Sequence, residues 1–403
     1  MVSSAVPLRA QAARLPGLDL LRATAICWVL LYHLAVVGLI PRQLWIVRFG
    51  WMGVDLFFVL SGFLIAGQLL RPWARGQRPS LRRFFTRRLL RTIPAYWAVL
   101  AVYALFPMVR EAPHLQPLWV FLSFTQNLFL GDQPNAFSHA WSLSVEEQFY
   151  LVLPLILLLL AMRPNAKVAI GLMAAILVLG IGLRAWLWLH EVASHGYMRL
   201  IYYPTYSRLD DLLAGVAAAA VKVFRPQVWR RLTARPNLLL ALGAAGVVGS
   251  SFVFGGQIAG FLGASLGYPL LALSLALLVV AGGDAGSVIG RRALPGAGAV
   301  AAASYSLYLS HKMVFHAVAV GLIPIPAAWR GLDPLIAVVL AAPVGAALYF
   351  AVERPFLKLR DRLDGPSRGS LARAPVLAPA EPQARPHRAV VLNSAPSRED
   401  EDA

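Results

Sequence analysis

Two ionisable side chains interrupt the first apolar stretch of the sequence. Arg22 and His33 stand eleven positions apart in a segment that is otherwise mostly apolar. On an α-helix this spacing closes to about 20°, so both side chains share one face and lie about 16 Å apart along the axis. Because histidine titrates near neutral pH, His33 is suited to act as a general base and then as an acid. The simpler alternatives are that Arg22 extends to a polar interface and that His33 makes a packing hydrogen bond.

A carboxylate in the second apolar stretch is the candidate partner of His33. Asp55 lies near the start of that stretch, at a depth that we expect to match that of His33. A carboxylate beside an imidazole fixes its tautomer and raises its basicity. We therefore predict that Asp55 orients His33. The alternative is that Asp55 caps its own helix at an interface.

Three arginines before the third apolar stretch are candidates for binding phosphate. Arg88 and Arg91 are three residues apart and share a helical face, and Arg87 is adjacent to them. Guanidinium groups bind phosphate oxygens in a bidentate manner. We predict that these three residues hold a phosphate-bearing ligand. The alternative is that they keep this segment on the cytoplasmic side and contact lipid headgroups.

Two further groups of polar residues are candidates for contacting a substrate. The first group leads into the fourth apolar stretch, and its aromatic ring and carboxylates suit a carbohydrate. Helix capping by a serine and one acidic residue is the alternative for part of this group. The second group lies in the ninth apolar stretch, where hydrogen bonding within the core is the alternative. The residues concerned are His139, Trp141, Ser142, Glu146, Glu147, Tyr305, Tyr308 and His311.

Membrane helices must position all of these residues. The chain is 58% hydrophobic and 14% charged, with a mean hydropathy of +0.64, whereas soluble proteins carry about 25% charged residues. We predict an all-α, polytopic bundle of about ten transmembrane helices, each needing about 20 apolar residues. We expect the short stretch 118–130 to be re-entrant or interfacial. The predicted spans are 20–40, 52–70, 93–109, 146–162, 168–189, 207–222, 237–254, 259–281, 299–322 and 332–352.

The net charge of +18 comes largely from short basic loops between the apolar stretches. The loop before Arg91 is the densest, and the loops 163–167, 222–236 and 282–298 are also basic. Positive loops mark the cytoplasmic side, so we predict that both termini are cytoplasmic and that no nucleic-acid partner is needed. The single cysteine, Cys27, excludes an intrachain disulfide. We expect it to serve packing, and we expect no metal site.

The predicted domain organisation is simple. Residues 1–16 are expected to form a flexible cytoplasmic arm, and 17–360 a single membrane domain. The segment 361–403 is rich in Pro, Ala, Arg and Ser and is predicted to be a disordered cytoplasmic tail.

The order of these motifs resembles the membrane-bound acyltransferase 3 family over residues 18–357. Each motif is weak alone, and their order along the chain makes the resemblance specific. The matching residues are Arg22 with His33, the run 53–58 with Ser61 and Gly62, Arg88 with Arg91, the run 139–150, the run 304–311, and Glu353 with Pro355.

The resemblance implies a fold and an activity. Members of this family transfer acyl groups to extracytoplasmic carbohydrates, lipid-linked glycans or antibiotic sugars. By resemblance Arg22 and His33 are catalytic, with Asp55 added from the argument above, and Arg88 and Arg91 engage acyl-CoA. We expect a multi-pass enzyme of the bacterial cytoplasmic membrane that transfers an acyl group, with acetyl-CoA or another acyl-CoA as donor. Any further transfer step would need a separate periplasmic protein. The alternative is a transporter or flippase for a glycan or lipid-linked sugar, in which the same charges form a proton path.

Overall fold

The computed structural model describes residues 15–131, 134–255 and 260–363, except for the side chain of residue 330. The described residues fold as one compact unit that ends at Leu363. The predicted arm 1–16 and tail 361–403 therefore lie almost entirely outside the described residues.

The described chain is built from α-helices, and no β-strand occurs within it. Short 3₁₀ and π-helical turns join several of the helices. In chain order the α-helices are α1 (Pro16–Val36), α2 (Trp45–Arg48), α3 (Met52–Ala74), α4 (Leu81–Leu105), α5 (Leu118–Leu122), α6 (Trp141–Met162), α7 (Ala166–His190), α8 (Val192–His195), α9 (Asp210–Phe224), α10 (Pro226–Leu232), α11 (Pro236–Phe254), α12 (Tyr268–Gly282), α13 (Ala297–Ala319), α14 (Asp333–Leu348) and α15 (Arg354–Leu363).

Seven helical segments of the described chain are long and apolar enough to cross a membrane. The chain is therefore a multi-pass membrane protein. The predicted spans 93–109, 207–222 and 299–322 coincide with α4, α9 and α13, which do not reach that combination of length and hydropathy, so the count of about ten is not confirmed. The stretch 118–130 contains only the five-residue helix α5, which is too short for a crossing.

A central group of helices packs around α3. Helix α3 lies along α9, α1 packs between α3 and α13, and α12 contacts α1, α3 and α9. Small residues allow the closest approach: a Cβ added at Gly62 would collide with the Leu212 carbonyl oxygen, and Gly215 lies at the same crossing. In membranes, where the lipid is as apolar as the side chains, such small residues let two backbones pack directly. The crossing therefore brings the backbones of α3 and α9 into direct contact.

Candidate active site

An arginine-rich cavity of about 360 Å³ opens between α1, α3, α4, α6, α13 and α15. Two carboxylates, Asp19 and Glu146, line the same cavity, so positive charge is in excess. Such a cavity suits a ligand with several negative charges. Its arginines are Arg22, Arg87, Arg88, Arg91 and Arg360. The structure thus brings together the three arginines predicted to bind phosphate and adds Arg22 and Arg360 to them.

Two of these guanidinium groups have only long contacts to a carboxylate. Arg22 lies 3.5 Å from Asp19, and Arg91 lies 3.8 Å from Glu353. Charge-assisted hydrogen bonds to a carboxylate are usually about 2.7–2.9 Å long. The two arginines therefore keep donor capacity toward a ligand in the cavity.

Arg88 is positioned by neutral groups. Its Nη2 donates to Gln68 Oε1 at 3.4 Å, and its guanidinium lies over the Tyr150 ring at 5.4 Å from the centroid. Its Nε is buried without a hydrogen-bond partner among the described residues. A buried donor without a partner is costly, and an anion in the cavity would relieve that cost.

The structure corrects the predicted positions of the two glutamates. Glu146 lies in the arginine-rich cavity, where it accepts hydrogen bonds from Ser61 Oγ at 2.6 Å and from Tyr150 OH at 2.9 Å. Glu147 contacts Thr92 of α4. Both were predicted to line the acceptor side together with His139. For Glu146 that prediction is wrong, because the helical turns that follow His139 carry Glu146 about 10 Å along the axis and into the arginine-rich cavity.

Three histidines from separate segments converge away from this cavity. His311 Nε2 lies 2.9 Å from His33 Nδ1, and their ring centroids are 4.8 Å apart. The His139 ring lies 5.3 Å from that of His311 and 6.3 Å from that of His33. His139 and His311 are buried, at 2% and 0% exposure, whereas His33 is only half-buried. Of the three, His33 is the one most open to a reactant.

Tyr308 and Ser142 lie between the cavity and the histidines. Both line the cavity, and their hydroxyl oxygens are 2.7 Å apart. Tyr308 also donates to the backbone carbonyl of His139 at 2.8 Å, and its ring lies 5.9 Å from that of His311. Tyr305, one turn earlier, donates to the Thr92 carbonyl at 2.8 Å on the wall of the cavity. The cavity and the histidines are therefore separated by about one layer of side chains.

Asp55 does not orient His33. Its carboxylate forms an ion pair with Arg208, and both side chains are fully buried. Among the described residues no hydrogen bond or ion pair joins Asp55 to His33, so the predicted pair is wrong. The physical reason is that a buried carboxylate requires a cation, and the short segment that leads into α9 places the permanently charged guanidinium of Arg208 against this face of α3.

Trp141 is part of the surroundings of Arg208. The guanidinium lies 5.3 Å from the Trp141 ring, 4.8 Å from that of Tyr202 and 4.2 Å from that of Tyr268. Trp141 is 5% exposed. The prediction that Trp141 offers a stacking surface to a carbohydrate is therefore wrong, because its ring is already covered by protein.

One ion pair beside the histidines was missed by the sequence analysis. Lys312 Nζ donates to Glu111 Oε1 at 2.8 Å and to Ser138 Oγ at 2.7 Å. Burial raises the pKa of Glu111, but the positive charge of Lys312, with a smaller contribution from His139, outweighs it and lowers the pKa to about 2. The signal for Lys312 was visible, since it is a lysine within an apolar stretch directly after His311. Glu111 lies in a loop and is identified only by its partner.

Comparisons with known proteins identify relatives of this chain. A family model designated acyltransferase 3 and described as an acyltransferase domain matches residues 15–354. Peptidoglycan O-acetyltransferase OatA of Listeria monocytogenes is 33% identical over 242 residues, which cover 55% of this chain and 37% of that protein. O-acetyltransferase OatA of Staphylococcus aureus is 31% identical over 220 residues, covering 51% of this chain and 34% of that protein.

The matched region is only part of these relatives, since it spans little more than a third of their length. No solved structure matches the chain. The family model nevertheless covers nearly all of the described residues, including the three histidines and the lining of the arginine-rich cavity except Leu357 and Arg360. The chain therefore belongs to the acyltransferase 3 family.

Proposed function

We propose that this chain is a membrane O-acyltransferase that moves an acetyl group from acetyl-CoA to a hydroxyl group of a cell-wall glycan. One observation carries the proposal. A single helix, α1, presents Arg22 to the arginine-rich cavity and His33 to the histidine group, about 16 Å further along its axis. An anion-binding end and a proton-accepting end on one rigid element suit a transfer between two compartments.

The charge of the arginine-rich cavity favours binding of the donor, acetyl-CoA, at this end of α1. Coenzyme A carries a diphosphate and a further phosphate on its ribose, and the cavity holds five arginines against two carboxylates. Arg88 and Arg91, with Arg22 and Arg87 beside them, would hold these phosphates through paired N–H donors. Acetyl-CoA is made in the cytoplasm, and the basic loop that leads into α4 supports a cytoplasmic position for this end. The protein would then lie in the cytoplasmic membrane with both termini inside.

His33 would act as the general base in the transfer step. The hydroxyl oxygen of the acceptor would attack the carbonyl carbon of the thioester while its proton passes to His33. The carbon–sulfur bond then breaks, and the departing thiolate takes that proton. The products are an O-acetyl ester and free coenzyme A. Because His33 is half-buried and the other two histidines are buried, His33 is the best placed of the three to touch the acceptor.

The route between the two ends passes Ser142 and Tyr308. Their hydroxyl groups are hydrogen-bonded to each other, so the acyl end of the donor would have to displace that contact to reach His33. The names of the two relatives support a glycan of the cell wall as acceptor, since one of them is called a peptidoglycan O-acetyltransferase.

The test uses the full chain in proteoliposomes, with radiolabelled acetyl-CoA on the side of the arginines and soluble peptidoglycan fragments on the other. We expect labelled acetyl groups in the fragments. We expect His33→Ala to lower transfer by about 10²–10⁴-fold, the range for loss of a general base, while stabilisation of the protein by acetyl-CoA against heat persists. Replacing both Arg88 and Arg91 with alanine should remove that stabilisation.

Arg82→Ala is the matched control, because Arg82 is exposed on the same helix and does not line the cavity. It should behave as the wild type in both assays. Transfer by correctly inserted His33→Ala protein at the wild-type rate would overturn the proposal. Movement of the glycan across the bilayer without acetylation, and without stabilisation by acetyl-CoA, would identify a flippase instead.

A further inference from the structure

The hydrogen bonds of His311 restrict where protons can lie in the histidine group. His311 Nδ1 lies 3.0 Å from the backbone carbonyl of Leu307, one turn earlier in α13. A carbonyl oxygen only accepts hydrogen bonds, so the N–H of His311 must be at Nδ1. Among the described residues the hydrogen-bond partners of His311 are backbone groups of α13 and the imidazole of His33, and none of these is an anion, so His311 is assigned as neutral.

The position of the proton on His311 indicates where the proton of His33 lies. In neutral His311 the second nitrogen, Nε2, carries a lone pair and accepts. It lies 2.9 Å from His33 Nδ1, which must therefore carry the proton of that hydrogen bond. Neutral His33 then has its lone pair on Nε2. A backbone carbonyl of α13 thus favours, through His311, a basic Nε2 on His33, whose ring also contacts the backbone of Val29 on its own helix.

We propose that His311 is a positioning residue that holds His33 in the tautomer with a proton on Nδ1, so that His33 Nε2 is the base that takes the proton of the acceptor hydroxyl. This proposal rests on the proposed function and names the reacting atom within it. When Nε2 receives the proton, the bond from His33 Nδ1 to His311 Nε2 remains and stabilises the imidazolium. No proton needs to leave the pair before the thiolate takes it back from Nε2.

The surroundings of His311 support a fixed ring. Its side chain is fully buried, and the rings of His139, Tyr308 and Phe315 lie 5.3, 5.9 and 5.5 Å from it. A ring packed on several sides and bonded at both nitrogens has one orientation available. The orientation of His33 is then determined by a rigid neighbour and does not require a carboxylate.

The experiment compares two substitutions at one position. His311→Gln keeps an acceptor oxygen that can reach His33 Nδ1, whereas His311→Leu fills a similar volume without any acceptor. We expect His311→Leu to lower kcat by about 10²–10⁴-fold, because a base held in the wrong tautomer loses activity on that scale. The KM for acetyl-CoA should stay within about threefold, since the donor cavity is intact. His311→Gln should retain kcat within about tenfold of the wild type.

His316→Ala is the control on the same helix, and it should leave kcat unchanged. Equal activity of the Leu variant and the wild type would overturn the proposal, as would equal loss in the Leu and Gln variants. If the Leu variant does not fold, a loss of more than about a hundredfold in folded His311→Gln would itself contradict the positioning role. Failure of the proposed function is distinct from these outcomes: it is seen when His33→Ala stays active, whatever happens at position 311.

Discussion

The ion pair between Lys312 and Glu111 offers a direct test of how the loop between α4 and α5 is held against α13. Lys312→Met removes the cation and leaves the Glu111 carboxylate buried, with a side-chain exposure of 9%. The pKa of Glu111 is lowered from the ordinary value of 4.5 to about 2. At 1.36 kcal/mol per pKa unit, the charged environment stabilises the folded state by about 3 kcal/mol.

The sign of the pH dependence follows from the lowered pKa. A carboxylate with a lower pKa in the folded state contributes its full stabilisation above its unfolded pKa, here the ordinary value of 4.5. That contribution is lost as the pH falls through this value toward 2. In Lys312→Met the buried carboxyl has lost its cation, so burial raises its pKa above the ordinary value. The difference in stability between the wild type and Lys312→Met should therefore be largest at about pH 8 and shrink as the pH falls through that raised pKa toward about 2.

The assay is equilibrium unfolding by denaturant in mixed micelles, applied to Lys312→Met, Glu111→Gln and the double variant. Each single substitution leaves one buried charge without its partner and should cost about 3–5 kcal/mol. The double variant should recover part of that loss, with a coupling energy of about 3 kcal/mol at pH 7. Strict additivity of the two single effects, or a coupling energy below about 0.5 kcal/mol, would refute the reasoning.

Two further predictions concern the buried core. Gly62→Ala places a methyl group against the Leu212 carbonyl where α3 and α9 touch, so we expect a loss of about 1–3 kcal/mol, measured as reduced survival of folded protein on heating. Gly171→Ala, with nothing within 4 Å of the added methyl, should be neutral, and equal behaviour of the two would contradict the close packing. Asp55→Asn leaves the buried Arg208 without its anion and should cost about 3–5 kcal/mol in unfolding free energy, whereas Asp361→Asn, at an exposed pair, should cost less than about 1 kcal/mol. Similar losses of unfolding free energy in Asp55→Asn and Asp361→Asn would contradict a larger contribution of the buried pair to stability.

Local periodicity accounts for the relative positions of two groups of candidate residues. Arg22 and His33 lie on one uninterrupted helix, so their separation along its axis follows from the helical rise alone. Arg87, Arg88 and Arg91 come together for the same reason, because they are neighbours on α4. The family resemblance, which used the order of such local motifs, is confirmed by the match over residues 15–354.

The partners of the buried charges could not be predicted in this way. Asp55 was assigned to His33 from expected depth alone, whereas the choice between His33 and Arg208 depends on which helix packs against each face of α3. Glu146 was assigned to the acceptor side because it is close to His139 in sequence. Two turns of helix place it among the arginines instead.

The sequence by itself determined the membrane class, the family, and the placement of an arginine and a histidine on one helix. These properties depend on composition and on the repeat of a single helix, and both are local. Only the tertiary structure decided that His311 is the partner of His33, that Arg208 is the partner of Asp55, and that Lys312 and Glu111 form a pair beside the histidines. The physical reason is that a buried polar group bonds to whatever the neighbouring helix presents, and helix packing joins residues as far apart in sequence as His33 and His311.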